Sequence, residues 1–317
     1  MKIALLGTGF GQAHTAVYAA RDDIDEVVVF GRTPQKLASI GEQFGFATTT
    51  DLDTLLADAL VDLVDICLPT GLHAEVAVRA MQAGRDVLIE LPLAGTLAEA
   101  HRIVATQKET GRQAFVDMFS RFSPANQHLR QVVADHRHGP LQALEIDARS
   151  ALLWEGYDLG LSTLAMDMMH ADFDLVTNML GRPNTVHVAS VEDPSGRGSA
   201  AMVILGYPHA VARCTSSSLM PQPYGMRGGW RATFTTAALE YTMRAGYTGQ
   251  GPSSLTECTA QGEQPIDLPA GSPYAAVIDH VLACLAGHAD NAIEPVSALA
   301  ALELTLDVQH RLIQNAA

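Results

Sequence analysis

The chain has 317 residues, 48% of them hydrophobic, and a formal net charge of −15. This length is enough for two domains with sizeable cores, and the apolar content excludes a disordered chain. The negative charge disfavours nucleic acids and anionic membranes as partners, but it does not exclude a local anion site built from dipoles and one or two cations.

The sequence carries no membrane or export signal. No apolar run reaches the length of a membrane span, and the first residues start directly on a predicted strand. The cysteines are scattered and form no metal-ligand pair. We therefore expect a cytoplasmic protein that acts on a small molecule and holds no metal.

The first predicted element is a buried strand at residues 3–6, which leads into a glycine-rich turn and a helical segment. Gly7 permits the tight turn, and Gly9 lets the backbone approach a pyrophosphate at the helix N-terminus. Gly11 comes one residue earlier than in the usual spacing. The order of strand, glycines, helix and strand predicts dinucleotide binding, with a glycine-rich turn that binds nothing as the alternative. The residues predicted to contact the cofactor in this turn are Gly7, Gly9, Phe10, Gly11 and Gln12.

The end of the second predicted strand bears on the choice between NAD and NADP. An acidic residue at this point accepts hydrogen bonds from the adenosine ribose and repels a 2′-phosphate. This chain has Gly31, Arg32 and Thr33 instead, so Arg32 can pair with a phosphate and the Thr33 hydroxyl can donate to it. The sequence therefore predicts NADP rather than NAD, with a solvated loop arginine as the alternative for Arg32.

The two halves of the chain have different patterns. Residues 1–120 alternate short apolar runs with helical segments, which predicts an α/β Rossmann domain with a mostly parallel sheet. In residues 121–317, helices precede and follow a block of strands, which predicts an α+β domain on a mostly antiparallel open sheet. The C-terminal helices, residues 274–313, are assigned to this second domain. Its predicted strands are residues 141–149, 185–191, 200–205, 210–217, 231–235 and 239–243.

Further motifs occur in order along the chain: Cys67–His73, Val87–Ala94, Phe119–Pro124 and Leu164–Gly181. With the glycine loop they resemble the Gfo/Idh/MocA family, the glucose–fructose oxidoreductase and inositol dehydrogenase family, over almost the whole chain. The resemblance implies a nicotinamide-dependent oxidoreductase. It also implies that residues after the fourth strand line the ribose and nicotinamide of the cofactor, namely Leu68, Pro69, Thr70 and His73. The alternative for His73 is a residue of the first helical turn.

The resemblance also assigns the Glu-x-Pro segment after the fifth strand. Glu90 should reach the nicotinamide ribose, and a cis peptide bond before Pro92 would turn Leu91 into the active site. The alternative for Glu90 is a strand-end carboxylate held by backbone donors. A Glu-x-Pro segment without lysine also resembles the carboxy-hydroxymuconate semialdehyde dehydrogenase branch, whose members oxidise an aldehyde as its cyclic hemiacetal.

The chain departs from the family at both usual catalytic positions. Leu91 stands where the family has a lysine, and Ala171 stands where it has a histidine. His170 comes one residue earlier, about 100° around a helix, and helix packing or an interface is its alternative role. Alcohol oxidation needs a base and carbonyl reduction needs an acid. The predicted catalytic residues are therefore Asp167 and, second, His170, with Asp117 and Tyr157 as further candidates.

The predicted substrate side contains aromatic and charged residues. The resemblance places Trp154 and Tyr157 at the mouth of the cleft, where they would form flat apolar walls. An oligomer interface is the alternative use of the tryptophans, because the family commonly dimerises through its second-domain sheet, and we expect a homodimer or homotetramer. The predicted substrate residues are Asp117, Arg121, Trp154, Tyr157 and Arg227, with Arg231 as a further candidate for holding a carboxylate.

These observations favour an NADP-dependent oxidoreductase that moves a hydride between the cofactor and a small carbonyl or hydroxyl compound. An apolar residue at position 91 and the arginines favour a carboxylated aldehyde or hemiacetal as substrate. Two other classes stay open because the usual lysine and histidine are missing. One is an NADP-binding sensor or structural subunit that transfers no hydride. The other is a lyase or hydrolase that uses the nucleotide without consuming it.

Overall fold

The computed structural model describes residues 1–9, 11–151, 158–245 and 251–316, with side chains up to residue 314. The chain divides into two compact units. The first consists of Met1–Phe122 with Gly271–Leu299, and the second consists of Ser123–Ala270 with Ala300–Ala317. None of the helices within these described ranges has the length and apolar character needed to span a bilayer.

The first unit is built on a six-stranded sheet in which neighbouring strands run parallel. Residues 3–6 are fully buried, as expected for a strand that helices cover on both faces. The strands are β1 (Lys2–Leu6), β2 (Glu26–Phe30), β3 (Ala47–Thr49), β4 (Leu63–Ile66), β5 (Asp86–Ile89) and β6 (Ala114–Val116). The first helices are α1 (Gly11–Ala19), α2 (Pro34–Phe44), α3 (Leu52–Ala57), α4 (His73–Gln82) and α5 (Leu97–Thr110).

The strand order β3-β2-β1-β4-β5-β6 places the reversal of winding between β1 and β4. In a sheet of this kind the ligand crevice lies outside the carboxyl ends of the strands at that reversal. The residues that come after β1, β4, β5 and β6 are Gly7, Cys67, Glu90 and Asp117, so they share one edge. Arg32 comes shortly after β2, at the same edge on the other side of the reversal.

The second unit is built on an eight-stranded sheet of order β14-β13-β12-β11-β7-β10-β9-β8. Its neighbours are antiparallel apart from β7 and β10, which run parallel. Helices cover one face, against which alternate residues such as Ile146 and Trp230 are buried. The helices are α6 (Pro124–Ala134) and α7 (His170–Leu180). The strands are β7 (Leu141–Ala151), β8 (Thr185–Glu192), β9 (Ser199–Gly206), β10 (Val211–Met220), β11 (Met226–Phe234), β12 (Ala237–Ala245), β13 (Ser253–Thr259) and β14 (Gly262–Ile266).

This architecture confirms the fold class predicted from the sequence, a parallel Rossmann sheet followed by a mostly antiparallel sheet. The strands predicted for the second domain are present, but β13 and β14 were not predicted. Serine, threonine and glutamate dominate β13, so its apolar alternation is weak. β14 is an edge strand that contains Pro265, a residue that argues against a strand in a sequence pattern.

The C-terminal helices divide differently from the prediction, which gave residues 274–313 to the second domain. Helix α8 (Pro273–Leu285) belongs to the first unit, and α9 (Pro295–Ala316) crosses from the first unit to the second after Leu299. Side-chain packing explains the placement of α8. The Tyr274 ring stacks on Phe119 with 4.7 Å between centroids, and Asp279 forms an ion pair with Arg21 of the first unit.

Candidate cofactor and active site

The turn after β1 has the backbone geometry of a dinucleotide loop. Gly7 has a φ of +121°, and a Cβ atom there would lie 2.2 Å from the Cys67 carbonyl oxygen, so another residue would not fit. At Gly11 a Cβ would lie 3.2 Å from the Cβ of Cys67, so this glycine allows the close helix–strand packing that the third glycine usually provides. Gly9 is exposed and has open space around it. Gln12 is exposed on the first turn of α1, and Phe10 lies outside the described residues.

The region after β2 fits a phosphate group. Arg32 is exposed and forms no hydrogen bond or ion pair with any residue in the described ranges. Thr33 precedes α2, and its side chain does not cap that helix, so the first N–H groups of α2 lack a side-chain acceptor. Lys36 lies exposed on the same turn. A free guanidinium beside an uncapped helix N-terminus is a suitable anion site.

The loops after β4 and β5 are joined by His73. Its Nε2 lies 2.7 Å from the carbonyl oxygen of Leu68, and its Nδ1 lies 3.0 Å from that of Pro92. Burial lowers the pKa of His73, against the opposing effect of the carbonyl acceptors of Leu68 and Pro92. The Leu91–Pro92 peptide bond is cis, as the sequence resemblance implied. His73 thus uses its ring nitrogens to fix the loop of Leu68, Pro69 and Thr70 next to Leu91.

A group of buried polar side chains lies behind the carboxyl ends of β4, β5 and β6. His14, one turn into α1, is 1% exposed and sits between two carboxylates. Its Nδ1 lies 2.7 Å from Asp65 Oδ2, and its Nε2 lies 2.9 Å from Asp117 Oδ2. The Oε1 atom of Glu90 is 3.9 Å from the same Nε2. We call these residues, together with Tyr18, Cys67 and Tyr274, the His14 cluster.

The two carboxylates determine the charge of His14. Both ring nitrogens face an acceptor oxygen, so both carry a proton and the ring is an imidazolium. Burial opposes this charge, but Asp65, Cys67 and Asp117 raise the pKa of His14 well above its ordinary value. Burial and the charge of Asp117 raise the pKa of Glu90 to about 8, against an opposing effect of His14. At neutral pH the cluster therefore holds a cationic His14 and a neutral Glu90 carboxyl group.

Cys67, His14 and Glu90 offer ligand atoms within 4.8 Å of one another, which raises the question of a metal site. A metal ligand imidazole must offer an unprotonated nitrogen, whereas both nitrogens of His14 face carboxylates. Burial also raises the pKa of Cys67 well above its ordinary value, and its thiol donates to Asp65 Oδ1 at 3.4 Å. The trio is therefore explained by hydrogen bonding within the cluster.

Sequence reasoning gave no role to His14 or Asp65. The available signals were an acidic residue inside the apolar strand β4 and a histidine one helical turn after Gly11. Neither signal indicates a partner, because the two residues are 51 positions apart along the chain.

Two residues predicted to bind substrate are used inside the first unit instead. Asp117 is fully buried and holds His14. Arg121 is 7% exposed, and its guanidinium donates to Ser297 Oγ at 2.9 Å and to the Ala292 carbonyl at 3.2 Å. These bonds fix the start of α9, so the guanidinium of Arg121 is not available to hold a substrate carboxylate.

The segment with the predicted catalytic residues begins with a π-helical turn, Ala165–Met169, and continues as α7. Asp167 is exposed on this turn, and desolvation of its carboxylate raises its pKa against an opposing effect of Thr163. His170 is 1% exposed, and its Nδ1 lies 2.8 Å from Thr305 Oγ1. The Thr305 hydroxyl donates to Ala301 at 2.7 Å, so His170 is the donor in this pair. The geometry thus favours a packing role for His170 and leaves Asp167 accessible.

The arginines of the glycine-rich strand β11 lie apart from this helical layer. Arg227 and Arg231 line a cavity of about 580 Å³ on the second-unit sheet. The Arg227 guanidinium lies 4.1 Å from the centroid of the Tyr224 ring, and Arg231 pairs with Glu145 and Glu240 at 3.5 and 3.4 Å. Trp230 packs toward the helices, and the next residue, Arg231, therefore points to the opposite face of the sheet. The structure thus does not bring Arg231 together with Asp167, which lies in the helical layer. Trp154 and Tyr157 lie outside the described residues.

Comparison with known proteins supports the fold and the resemblance to the Gfo/Idh/MocA family. A profile described as "Oxidoreductase family, NAD-binding Rossmann fold" (GFO_IDH_MocA) matches residues 1–118. The UDP-N-acetylglucosamine 3-dehydrogenase of Acidithiobacillus ferrooxidans is 27% identical over 295 residues, 91% of this chain and 90% of that protein. The first unit of this chain is thus similar to the Rossmann domain of the Gfo/Idh/MocA oxidoreductases, and the A. ferrooxidans enzyme extends the similarity over most of the chain.

Another known protein is more similar over a shorter stretch. The 4-carboxy-2-hydroxymuconate-6-semialdehyde dehydrogenase of Sphingobium sp. (strain NBRC 103272 / SYK-6) is 35% identical over 135 residues, 42% of this chain and 43% of that protein. The alignment thus spans less than half the length of that relative. The solved structure of the A. ferrooxidans enzyme has a TM-score of 0.82 at 24% identity and covers 98% of this chain and 97% of its own. An Agrobacterium radiobacter oxidoreductase in complex with NAD+, L-tartaric acid and magnesium has a TM-score of 0.79 at 18% identity, with 96% and 94% of the two chains covered.

The π turn does not bring a histidine to the position of Ala171. A π turn holds one residue more than an α turn and so rotates the preceding helical residues relative to the later ones. Here the turn ends at Met169, and His170 begins the regular helix that carries Asp172 and Asp174. His170 therefore keeps its one-residue offset from the family's histidine position, and Asp167 lies within the π turn.

We expect the replacement of Glu90 by glutamine to change the pH dependence of stability. The folded-state pKa of Glu90 lies above its unfolded value, near 4.5, so the folded protein binds the proton more tightly. The contribution of Glu90 to the free energy of unfolding is fully present below about pH 4.5. It is lost as the pH rises to about 8, by up to about 1.4 kcal/mol per pH unit. Glu90→Gln should therefore gain stability relative to the natural protein as pH rises through that window. Unfolding midpoints from pH 4.5 to 8.5, with the exposed Glu75→Gln as control, measure this, and parallel curves for both variants would contradict it.

We expect the hydrogen bond between His170 and Thr305 to contribute to the free energy of unfolding. Thr305→Val keeps the side-chain shape but leaves the His170 Nδ1 proton without its acceptor, so the free energy of unfolding should fall by about 1–3 kcal/mol. Thr177→Val is the matched control, because the Thr177 hydroxyl donates only within its own helix. Denaturant titration compares the two variants. Equal losses of stability would show that the bond to His170 contributes nothing beyond a helical threonine.

Proposed function

We propose that the chain is an NADP(H)-dependent oxidoreductase that interconverts a small carbonyl compound and its reduced form, with a carboxylated aldehyde or cyclic hemiacetal as substrate. The observation that carries the proposal is the loop after β1, where Gly7 has no room for a side chain and Gly9 opens onto free space. This geometry suits a backbone that approaches a pyrophosphate.

The residues of the first unit fit the rest of the nucleotide. The pyrophosphate would be held by the glycine loop and the first N–H groups of α1. The 2′-phosphate would be held by Arg32, Thr33 and the N-terminus of α2, where no carboxylate repels it. When bound, the nicotinamide supplies or accepts the hydride. Loops fixed by His73 would hold the nicotinamide side of the crevice.

Proton transfer at the substrate is assigned to Asp167. The carboxylate is accessible, and its raised pKa brings it closer to the working pH of a general base. His170 was the second candidate, but its Nδ1 proton is held by Thr305 inside the second unit. The hydrate or hemiacetal of an aldehyde loses its proton more easily than a secondary alcohol does, so a single carboxylate suffices.

The substrate class is argued from Leu91 and from the relatives. Leu91 brings an apolar side chain where the family has a cation, and a polyol would leave several hydroxyls unpaired there, at a cost for each. The Sphingobium relative is named for a carboxylated semialdehyde. The A. ferrooxidans relative is named for a nucleotide sugar, which makes a sugar alcohol the second candidate.

The sheet of the second unit supports the homodimer or homotetramer expected from the sequence. Its neighbouring strands β8 to β10 carry exposed apolar residues, of which Val191 is 57%, Met202 38%, Ile204 41% and Val211 43% exposed. Met202 and Ile204 alternate with buried Val203 and therefore point away from the helix-covered face. Contiguous apolar residues of this kind are typical of a surface that another subunit covers.

The cofactor preference is tested by the replacement of Arg32 by alanine. Loss of a charge-assisted bond to the 2′-phosphate should weaken NADPH binding by roughly 1.5–3 kcal/mol and leave NADH binding nearly unchanged. Fluorescence titration of both nucleotides measures this. Arg102→Ala is the control, since Arg102 is also exposed but lies on α5. Equal losses for the two nucleotides would refute the assignment.

The reaction is tested with a panel of carboxylated aldehydes, aldoses, nucleotide sugars and inositols, monitored by NADPH absorbance. We expect turnover of a carboxylated aldehyde, and we expect Asp167→Asn to slow single turnover by about 10²- to 10⁴-fold. Asp307→Asn, which breaks an ion pair on α9 with Arg311, is the control. Turnover of inositol or glucose without any aldehyde acid would refute the substrate class. Absence of turnover with every compound of the panel would favour the non-redox alternatives, a sensor or structural subunit or a lyase or hydrolase.

A further inference from the structure

The cofactor unit of this chain has lost the lysine that its family places beside the reacting group, because Leu91 takes that position. The neighbouring Glu90 lies at the same edge of the sheet and contacts the buried His14, with 3.9 Å between Glu90 Oε1 and His14 Nε2. We propose that Glu90, held as a neutral carboxylic acid by a clamp of His14, Asp65 and Asp117, donates a hydrogen bond to the reacting oxygen of the substrate. This inference rests on the proposed oxidoreductase function.

The charge of the clamp explains why one carboxyl must be neutral. His14 is a cation between Asp65 and Asp117, so those three groups already carry a net charge of −1. Ionisation of Glu90, with its Oε1 only 3.9 Å from His14 Nε2, would raise the buried charge to −2. A second uncompensated charge is costly in a site with little solvent, and the least stabilised carboxylate takes up a proton instead.

The hydrogen bonds show which carboxyl that is. Asp65 Oδ2 receives His14 at 2.7 Å and the Tyr18 hydroxyl at 2.7 Å. Asp117 Oδ2 receives His14 at 2.9 Å. The Glu90 carboxyl receives only the backbone N–H of Leu91, at 2.9 Å, among the bonds in the described residues. Asp117 and Glu90 receive one hydrogen bond each, and the buried Asp117 Oδ1 has no partner among the described residues, but the donor to Asp117 is the His14 cation whereas the donor to Glu90 is a neutral backbone group. Glu90 is therefore the less stabilised carboxylate of the two and takes up the proton.

Glu90 is also the carboxyl that can reach a ligand. Its side chain is 15% exposed, whereas those of Asp65 and Asp117 are fully buried. It comes directly after β5, on the far side of the winding reversal from Arg32. In this type of sheet the nucleotide crosses the reversal, so an adenosine phosphate at Arg32 leaves the nicotinamide and the substrate at the β4–β5 side.

Charged and titratable groups on each neighbouring element interact electrostatically with Glu90. They are His14 of α1, Asp65 of β4 and Cys67 after it, Asp117 after β6 and Tyr274 of α8. His14 opposes protonation of Glu90, while Asp117 and Asp65 favour it. Removal of Asp117 should therefore ionise Glu90 at lower pH.

A neutral carboxyl suits the chemistry of the reacting oxygen. Negative charge grows on this oxygen as a carbonyl takes up a hydride, and a neutral O–H donor stabilises it, whereas a carboxylate would repel it. Glu90 keeps its proton in both directions of the reaction, so it acts as a hydrogen-bond donor and not as the group that exchanges a proton with the substrate. Removal of one such donor typically lowers kcat by about 10²- to 10³-fold.

The protonation state is tested on the full chain without nucleotide. Glutamate labelled with ¹³C at the side-chain carboxyl is titrated by NMR, and the resonance that Glu90→Gln removes should have its midpoint near pH 8. Asp117→Asn should shift this midpoint down by about one pH unit or more. Asp86→Asn, at the opposite end of β5, should not shift it. A midpoint below pH 6 in the natural chain overturns the proposal even if Asp117→Asn fails to fold.

The role is tested by two substitutions at the same position. Glu90→Gln retains a neutral donor, so it should lower kcat at least tenfold less than Glu90→Leu and should remove the loss of carbonyl reduction above pH 8. Asp117→Asn should move that loss to lower pH, while Asp86→Asn should not. An equal loss of kcat in the Glu90→Gln and Glu90→Leu variants overturns this inference and leaves the proposed function intact. Absence of turnover by the natural chain on the whole panel overturns the proposed function and the inference with it.

Discussion

The close approach of two chain segments at the head of the first sheet is the constraint on which the cofactor unit depends. Gly7 lies so near the Cys67 carbonyl that a Cβ atom would reach it at 2.2 Å. Because β1 and β4 meet this closely, α1 starts directly against the end of β4, where Gly11 also leaves no spare room. Since His14 lies one turn into α1, the close approach of Gly7 to Cys67 also places the His14 ring next to Asp65 of β4.

A buried imidazolium then ties several elements together. A charge in the interior is tolerated when partners and hydrogen bonds compensate its desolvation. His14 meets this condition with Asp65 in β4 and Asp117 after β6, and the Tyr18 hydroxyl supports Asp65. The surplus of acid in this cluster has a chemical consequence, since it leaves Glu90 as the group that stays protonated at the open edge.

The second unit separates two kinds of surface. Its helical layer carries Asp167 on a π turn, a local irregularity that occurs frequently at functional sites because it redirects side chains. Its sheet carries apolar side chains and paired charges, such as Arg231 with Glu145 and Glu240, on the face that the helices leave open. Strand alternation keeps these functions apart, because neighbouring residues such as Trp230 and Arg231 face opposite ways.

The sequence alone determined the fold class and the glycine loop, because local spacing and strand period encode them, and its resemblance to a known family implied the cis bond before Pro92. It also located the departures at Leu91 and Ala171. It did not determine β13 and β14, whose apolar alternation is weak, or the place of α8, which ring stacking with Phe119 decides. Only the tertiary structure showed that Arg121 and His170 are committed inside their own units and that His14, Asp65 and Asp117 meet. These are contacts between residues far apart in the chain, and the charge state of Glu90 depends on their summed fields, which no local pattern contains.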